Sequence, residues 1–540
     1  TLELDRRQRQ MCIRDSPSPF TLLPMSLRFL HLVTLVGFAV SVQAEGRESV
    51  LDAAATKIDA FLASSWKAHE ITPAPRSSDA EFHRRAWLDL AGVAPTVAAT
   101  RQFLADESED KRERLVDRLL QSPQHADHMA AIWNEILLPP DAQTQLEQRE
   151  NVASLHRWLR EQFYNNVPYD HLVGSFLTAG GAADSGPAVF YTSHAVQPEK
   201  LAAATSRIFL GLQLQCAECH DHPYDRWTQR DFWRFAAFFS QLERDESRGA
   251  RNPIIEDRPG REVTLPETET VMSPRYPGVS DPPERDPRGI RRRQLTIWLA
   301  SRDNPYFARA AANRVWGQLF GRGLVEPVDA MDADNQPSHP ELLAFLADHL
   351  IRLRFDLRQF YATIARTSAY GRSSAVDAPE RPPHDSFAAM SVKTLTAEQI
   401  YNSLVQNIYC RSPLDSGAGP ASLDPRREAF HARMRAVGSS PADYPHGVVQ
   451  ALGMMNGPEI LAACSPERTG LLAALQAPFF DDEQRIESVF LATVSRYPTP
   501  DESSRMAAML SSASDRSDRA QRLSDLLWAL LNSAEFAMCP

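Results

Sequence analysis

Apolar residues recur at helical spacing along most of this chain, and that periodicity limits the fold more than any other feature. Val50, Leu51, Ala54, Ile58, Phe61, Leu62 and Trp66 follow the i, i+3, i+4 rule of one helix face. Leu115, Val116, Leu119 and Leu120 repeat it, and that run stops at Ser122-Pro123. Ser78 stands three residues ahead of Glu81, a capping-box pair. Thr228 with Asp231 marks a second helix start, running through Phe239. Further helical patterns cover 125–138, 151–165, 169–178 and 198–214, then 289–301, 305–320, 339–352, 356–369, 397–410, 424–436, 443–455, 482–495, 501–512 and 518–536. Glycine is scarce (23) and proline abundant (39), which fits helices separated by proline-marked breaks. The expected class is mainly α, with at most a few short strands.

One stretch departs from this pattern. Residues 241–290 carry eight prolines and many charges, and only REVTL (261–265) reads as a strand. This predicts two helical domains, 45–245 and 288–540, joined by a Pro-rich linker over 246–287. Arg291, Arg292 and Arg293 form the densest basic run; they open a helical pattern, where arginines are commonly solvated. With a formal net charge of −11, the chain lacks the electrostatic footprint of a nucleic-acid binder. Its 43% hydrophobic and 24% charged residues exclude wholesale disorder and a polytopic membrane protein.

Residues 25–44, MSLRFLHLVTLVGFAVSVQA, read as a secretory signal peptide: Met25 as start, Arg28 as the charged flank, an apolar run from Phe29 to Val42, and small residues at Val42 and Ala44. The apolar run is short for a bilayer span, so no transmembrane segment is expected after cleavage. Residues 1–24 do not suit the front of a signal peptide and read as a non-native extension. The expected location is periplasmic or secreted. Removing 1–44 leaves Cys216, Cys219, Cys410, Cys464 and Cys539, an odd number that argues against a simple disulfide framework.

The densest chemistry lies in CAECHDHPYDRW (216–227). Cys216, Cys219 and His220 make C-x-x-C-H, the attachment pattern of c-type haem, which composition alone would produce about 0.002 times in this chain. Two thiols one turn apart can add to the two vinyl groups of one haem, and the adjacent imidazole reaches the iron. A second reading makes Cys216, Cys219, His220 and His222 a site for zinc or another transition metal; four donors so close in sequence rarely close one tetrahedron, so an outside ligand would be needed. Plain thiols or a C-x-x-C disulfide are the third reading.

Trp227, Phe232, Trp233, Phe235, Phe238 and Phe239 follow the motif; they wall an apolar pocket or, as is commoner, bury one helix face. Phe209 and Leu212, just before it, carry the same ambiguity. DAMDADN (329–335) offers Asp329, Asp332, Asp334 and Asn335 to a calcium ion but lacks the glycine and terminal glutamate of an EF-hand loop, so a solvated turn is the stronger reading. Met454 and Met455 are candidates for a sixth iron ligand, although methionines at helical spacing are more often core. No G-x-S-x-G, H-E-x-x-H, Walker A or G-x-G-x-x-G motif occurs.

These residues resemble the planctomycete cytochrome-associated proteins of unknown function, which link a cytochrome-like domain to a planctomycete-specific partner domain. The first resemblance rests on FHRRAWLDLAGVAPT (82–96), KRERLVDRLLQSP (111–123) and RIFLGLQLQCAECHDHPYDRWTQRDFWRFAAFF (207–239). The second rests on RRQLTIWLASRDNPYFARAAANRVWGQLFGRGLVEPVDAM (292–331), PSHPELLAFLADHL (337–350), TSAYGRSS (367–374), MMNGPEI (454–460) and LLWALLNSAEF (526–536). In the second segment Asn304, Asn313, Arg314, Trp316, Asp329 and Asn335 match the family pattern without assigned roles. The resemblance implies haem c on Cys216, Cys219 and His220, and electron transfer with a redox partner protein. The competing expectations are a metal-stabilised scaffold or binding module, and an enzyme acting on extracellular polymer; no catalytic residue is identified.

Overall fold

A computed structural model describes residues 50–139, 149–184, 186–247, 253–279, 289–376, 381–411, 424–434 and 447–540. The extension at 1–24 and the signal sequence at 25–44 lie outside the described residues, as do parts of the Pro-rich stretch. The protein is mainly α, with only short strands in small antiparallel sheets.

Residues 52–540 form one compact unit. Its first helical turns, through residue 68, bury Ile58, Leu62 and Trp66, and the Trp66 indole N–H donates to the Ser386 carbonyl at 2.7 Å. The next helix, Asp79–Ala91, is capped by Ser78, whose hydroxyl accepts from the Glu81 N–H. The Glu81 carboxylate does not complete the box. It turns to Arg85 (2.8 Å), the Ser373 hydroxyl and the Ser374 N–H. At Thr228–Asp231 the full reciprocal box forms.

Helix Asp79–Ala91 is held by two buried arginines. Arg84 donates to the carbonyls of Thr493 (2.9 Å), Glu535 and Phe536 and to the Ser495 hydroxyl. Arg85 donates to the carbonyls of Pro540, Tyr370 and Arg372. Beside them Lys393 pairs with Asp89 at 2.5 Å, both nearly buried, and the Tyr370 hydroxyl donates to the same carboxylate at 2.9 Å. Strand Met538–Cys539 pairs antiparallel with Lys393–Thr394. The far end of the chain therefore closes over a helix near its beginning.

The Pro-rich region contains more strand than its sequence suggests. Val263–Thr264, inside REVTL, pairs with Val271–Met272. Leu242–Asp245 and Ile254–Asp257 pair with each other, and the latter also with Gly181–Ala182. The expectation of solvated arginines at 291–293 fails for Arg292, which is 1% exposed. It binds Asp257 through two bonds and donates to the Leu177 and Ala179 carbonyls and the Tyr191 hydroxyl. The reason is partnership: a guanidinium whose three nitrogens all meet fixed acceptors tolerates burial. Arg291 is also engaged, with Ser240, the Ala237 carbonyl and Glu262.

A large apolar cluster gathers Leu395, Ile400, Phe430, Ile460, Ile486, Phe490, Leu527 and Phe536, and includes Leu88 and Ala94 from the first family-like segment. No described helix is long and apolar enough to cross a membrane.

Candidate functional site

The C-x-x-C-H run begins where a helix is stopped. A π-turn over Ser206–Leu210 ends at Gly211, which adopts φ 68°. A Cβ at Gly211 would sit 3.1 Å from the Met331 side chain, so the position also serves a close approach. The Gly211 carbonyl accepts the Met331 N–H at 2.8 Å.

A 3-10 segment, Leu214–Glu218, follows. With three residues per turn, positions i and i+3 eclipse. Leu214 and Ala217 therefore share the inner face and are buried, while Cys216 and Cys219 share the outer face and are exposed. Neither thiol is in a disulfide. The turn is held from behind: the Trp233 indole N–H donates to the Glu218 carbonyl (3.0 Å), and the Gln229 side-chain amide to the Cys219 carbonyl (3.0 Å). Burial, and next the nearby Glu199, push the Glu218 carboxyl above its ordinary pKa.

His220 is exposed, and its Nδ1 lies 2.8 Å from the Asp221 carbonyl. A carbonyl accepts only, so Nδ1 carries the proton and Nε2 keeps its lone pair. That is the tautomer a metal-binding imidazole needs. His222 is set the other way. Its Nδ1 accepts the Tyr224 N–H at 3.2 Å, which leaves the proton on Nε2. The geometry thus distinguishes His220 as a donor from His222, the fourth member of the expected metal set. Among the described residues no group of three or more His, Cys, Asp or Glu side chains is placed to hold a metal ion.

Most of the aromatics after the motif are core, while Trp233 is half-buried. Trp227, Phe232, Phe235, Phe238 and Phe239 are buried, and Phe238 joins a stack through Tyr276 to Trp298. Phe209 and Leu212 are buried as well. Met454 lies in the cluster with Phe430 and Ile460, a core that the motif does not join, and Met455 is 43% exposed. In DAMDADN, Asp329 pairs with Arg207 at 2.8 Å, and the Asn335 amide donates to the Glu326 and Ala330 carbonyls.

The second segment's matching residues prove to be builders. The Asn304 Oδ1 accepts the Tyr306 and Phe307 N–H groups and starts helix Phe307–Phe320. Asn313 exchanges bonds with Val325 and donates to the Val328 carbonyl. Gly323 lies against this amide, where a Cβ would meet the Val325 carbonyl oxygen at 2.3 Å. Arg314 donates to the Ile208 carbonyl just ahead of the motif, and Trp316 stacks on Phe320 at 4.2 Å.

Sequence reading missed a groove of about 270 Å³ beside the motif. Its lining comes from two stretches of the chain, Asp225, Arg226 and Trp227 in one and Tyr306, Arg309, Met331, Asp332 and Asn335 in the other, and Arg226 donates to the Tyr306 hydroxyl at 2.9 Å. The two stretches lie far apart in sequence, and no short spacing signals their meeting.

A mainly α scaffold that presents one exposed thiol–imidazole turn is the class these features define. Residues 57–244 match the family model PSCyt2, described as Protein of unknown function (DUF1549), and residues 291–411 match PSD1, described as Protein of unknown function (DUF1553). The chain carries these two domains in that order, consistent with a two-domain planctomycete family of unknown function. No curated protein and no solved structure matches it.

Proposed function

We propose that this is an exported haem c protein whose exposed turn exchanges electrons with a partner protein. The observation that carries the reading is the pairing of two free, outward-facing thiols with a His220 held in the tautomer that leaves Nε2 free. Cys216 and Cys219 would hold the haem, each thiol positioned for one thioether link. His220 would ligate the iron through Nε2, and the Asp221 carbonyl holds its ring. Leu214 and Ala217 anchor the turn, and Trp233 and Gln229 fix its backbone. Haem, when bound, supplies a one-electron iron couple. The donor set fits; the enclosing wall does not come from Phe232, Phe235, Phe238 and Phe239, which are fully buried. An exposed position lets a partner approach closely. Export rests on the 25–44 pattern, so exported protein should begin at Glu45 on N-terminal sequencing.

The test is expression in a host competent for haem c maturation. Haem should survive denaturation and acid–acetone extraction and appear as added mass on the 216–220 peptide. His220→Ala should keep the attachment and alter the spectrum. Colourless protein with no haem mass rejects the reading. A stoichiometric zinc content in that case would favour the metal-stabilised scaffold.

A further inference from the structure

The second family segment takes hold of the chain on both sides of the C-x-x-C-H turn. Upstream, the π-turn at Ser206–Leu210 ends a helix, whose last carbonyls need donors from outside it. Arg314, which is buried, donates to the Ile208 carbonyl at 3.2 Å. Asp329 pairs with Arg207 at 2.8 Å. The Met331 N–H donates to the Gly211 carbonyl at 2.8 Å, and the Met331 side chain closes against Gly211. Downstream, Arg226 donates to the Tyr306 hydroxyl at 2.9 Å. Tyr306, Arg314, Asp329 and Met331 all belong to the 291–411 match, and the turn they flank belongs to the 57–244 match.

The holding residues are themselves fixed. Asn304 starts helix Phe307–Phe320, which carries Arg314. Asn313, on the same helix, bonds to Val325 and Val328, and Asn335 bonds to the Glu326 and Ala330 carbonyls. These two side chains pin the loop that bears Asp329 and Met331. An outside grip matters because the turn is a five-residue 3-10 segment, a form with poor internal hydrogen bonds. Trp233 and Gln229 hold its far end, at the Glu218 and Cys219 carbonyls. Its near end follows Gly211 within three residues, where Met331 grips.

We infer that the second family segment is a brace for the thiol turn, with Tyr306, Arg314, Asp329 and Met331 as positioning residues that keep Cys216 and Cys219 side by side on the outer face. The inference rests on the haem reading for what the thiols are presented to; the presentation itself is measurable in haem-free protein. Three residues of 3-10 helix set the two Cα atoms about 6 Å apart, within the span that a disulfide bridges. Thiols held in that relation have a higher effective concentration toward each other than thiols on a loosened segment.

The experiment equilibrates the full haem-free chain with reduced and oxidised glutathione. Closing the Cys216–Cys219 bond oxidises two thiols and reduces one oxidised glutathione to two thiols, so the ratio at equilibrium gives the effective concentration. Arg207→Ala and Asp329→Ala should each lower it roughly 2–5-fold, the range an exposed ion pair can hold. Tyr306→Phe, which loses one hydrogen bond, should lower it by a similar factor. The swapped pair, Arg207→Asp with Asp329→Arg, should recover most of the loss. Alkylation read by mass spectrometry controls for folding: exposed Cys410 should keep its rate, and buried Cys464 and Cys539 should stay protected. An effective concentration that all three single variants leave unchanged overturns the inference. So does a loss that the swap does not restore, or one that comes together with labelling of Cys464 and Cys539. Failure here leaves the haem reading standing, and colourless protein from a maturation-competent host would reject that reading without touching this measurement.

Discussion

Two short runs of this chain are equally rich in reactive side chains, FHRRAWLDL in helix Asp79–Ala91 and CAECHDHPYDRW at 216–227, and they end in opposite states. In the first, His83, Arg84 and Arg85 are buried and the guanidiniums are bonded to carbonyls far along the chain. In the second, the thiols and the His220 imidazole face outward. The difference is one of helix geometry and inner partner. The α-helix turns its charged residues toward carbonyls that need donors. The 3-10 segment turns Leu214 and Ala217 inward, which leaves Cys216 and Cys219 on the outside. Residue type alone marks neither a site nor a core; what remains unengaged after folding does.

The buried side of this comparison is the easier to break, and acid should break it most. Burial holds His83 at a pKa of about 3 and His125 and His128 at about 4, below the ordinary 6.5. Between pH 6.5 and about 4 the unfolded chain therefore binds protons that the folded chain refuses. The contribution of these histidines is flat above pH 7 and falls as pH drops through that window, by about 1.4 kcal/mol per histidine per pH unit. Urea melts at stepped pH measure the slope, and His125→Gln should reduce it by one histidine's share. An unchanged midpoint from pH 7 to pH 5 would contradict the burial of these rings.

Next in size is Arg84→Ala. It strands the Thr493, Glu535 and Phe536 carbonyls and the Ser495 hydroxyl. Buried acceptors without donors cost about 1–3 kcal/mol each, partly relieved by water, so a loss of about 3–5 kcal/mol is expected in a denaturant melt. Arg84→Lys should fall between, since one ammonium cannot reach all four acceptors.

How far the sequence foretold these two regions follows from what each depends on. Helical periodicity is local, and the class and most helices were legible from it. The Thr228–Asp231 box was legible for the same reason. The Ser78 box was half right, because Glu81 found Arg85 and Ser373 instead, residues brought near only by tertiary packing. Burial of Arg292 was not legible, since its acceptors lie at 177, 179, 191 and 257. At the candidate site the C-x-x-C-H spacing was visible. The His222 tautomer hangs on the Tyr224 N–H, and the adjacent groove on residues near 225 and 332 meeting; neither leaves a mark in spacing.

The Pro-rich stretch offers a middle-sized test. We propose that 246–287 joins two domains, so limited proteolysis should cut there first. Arg84, Arg85, Arg292 and Arg314 each bond across that stretch or to elements beyond it. The nicked fragments should therefore co-elute on gel filtration under native conditions and part only in denaturant. First cleavage within 207–239 would place the boundary wrongly.

The smallest expected effect lies on the exposed side, and its smallness is the point. Cys216 and Cys219 sit on the outer face of the 3-10 segment and are exposed. Replacing both by serine preserves size and removes nothing from the core, so haem-free protein should change by no more than about 0.5 kcal/mol. Cys464 and Cys539 are the contrast. Both are buried, and burial pushes their thiols up to about 12. Serine at 464 puts a hydroxyl into an apolar cluster, with an expected cost of about 1–3 kcal/mol where it finds no partner, whereas serine at 539 meets the Asp89 carboxylate and should cost less. The same Cys216→Ser, Cys219→Ser protein, made in a maturation-competent host, should carry no haem. A neutral effect on folding joined to complete loss of attachment would make these thiols functional and free of structural duty. A loss of several kcal/mol in haem-free protein would instead mean that the turn is held together through its sulfurs, as a structural metal or a C-x-x-C disulfide would hold it.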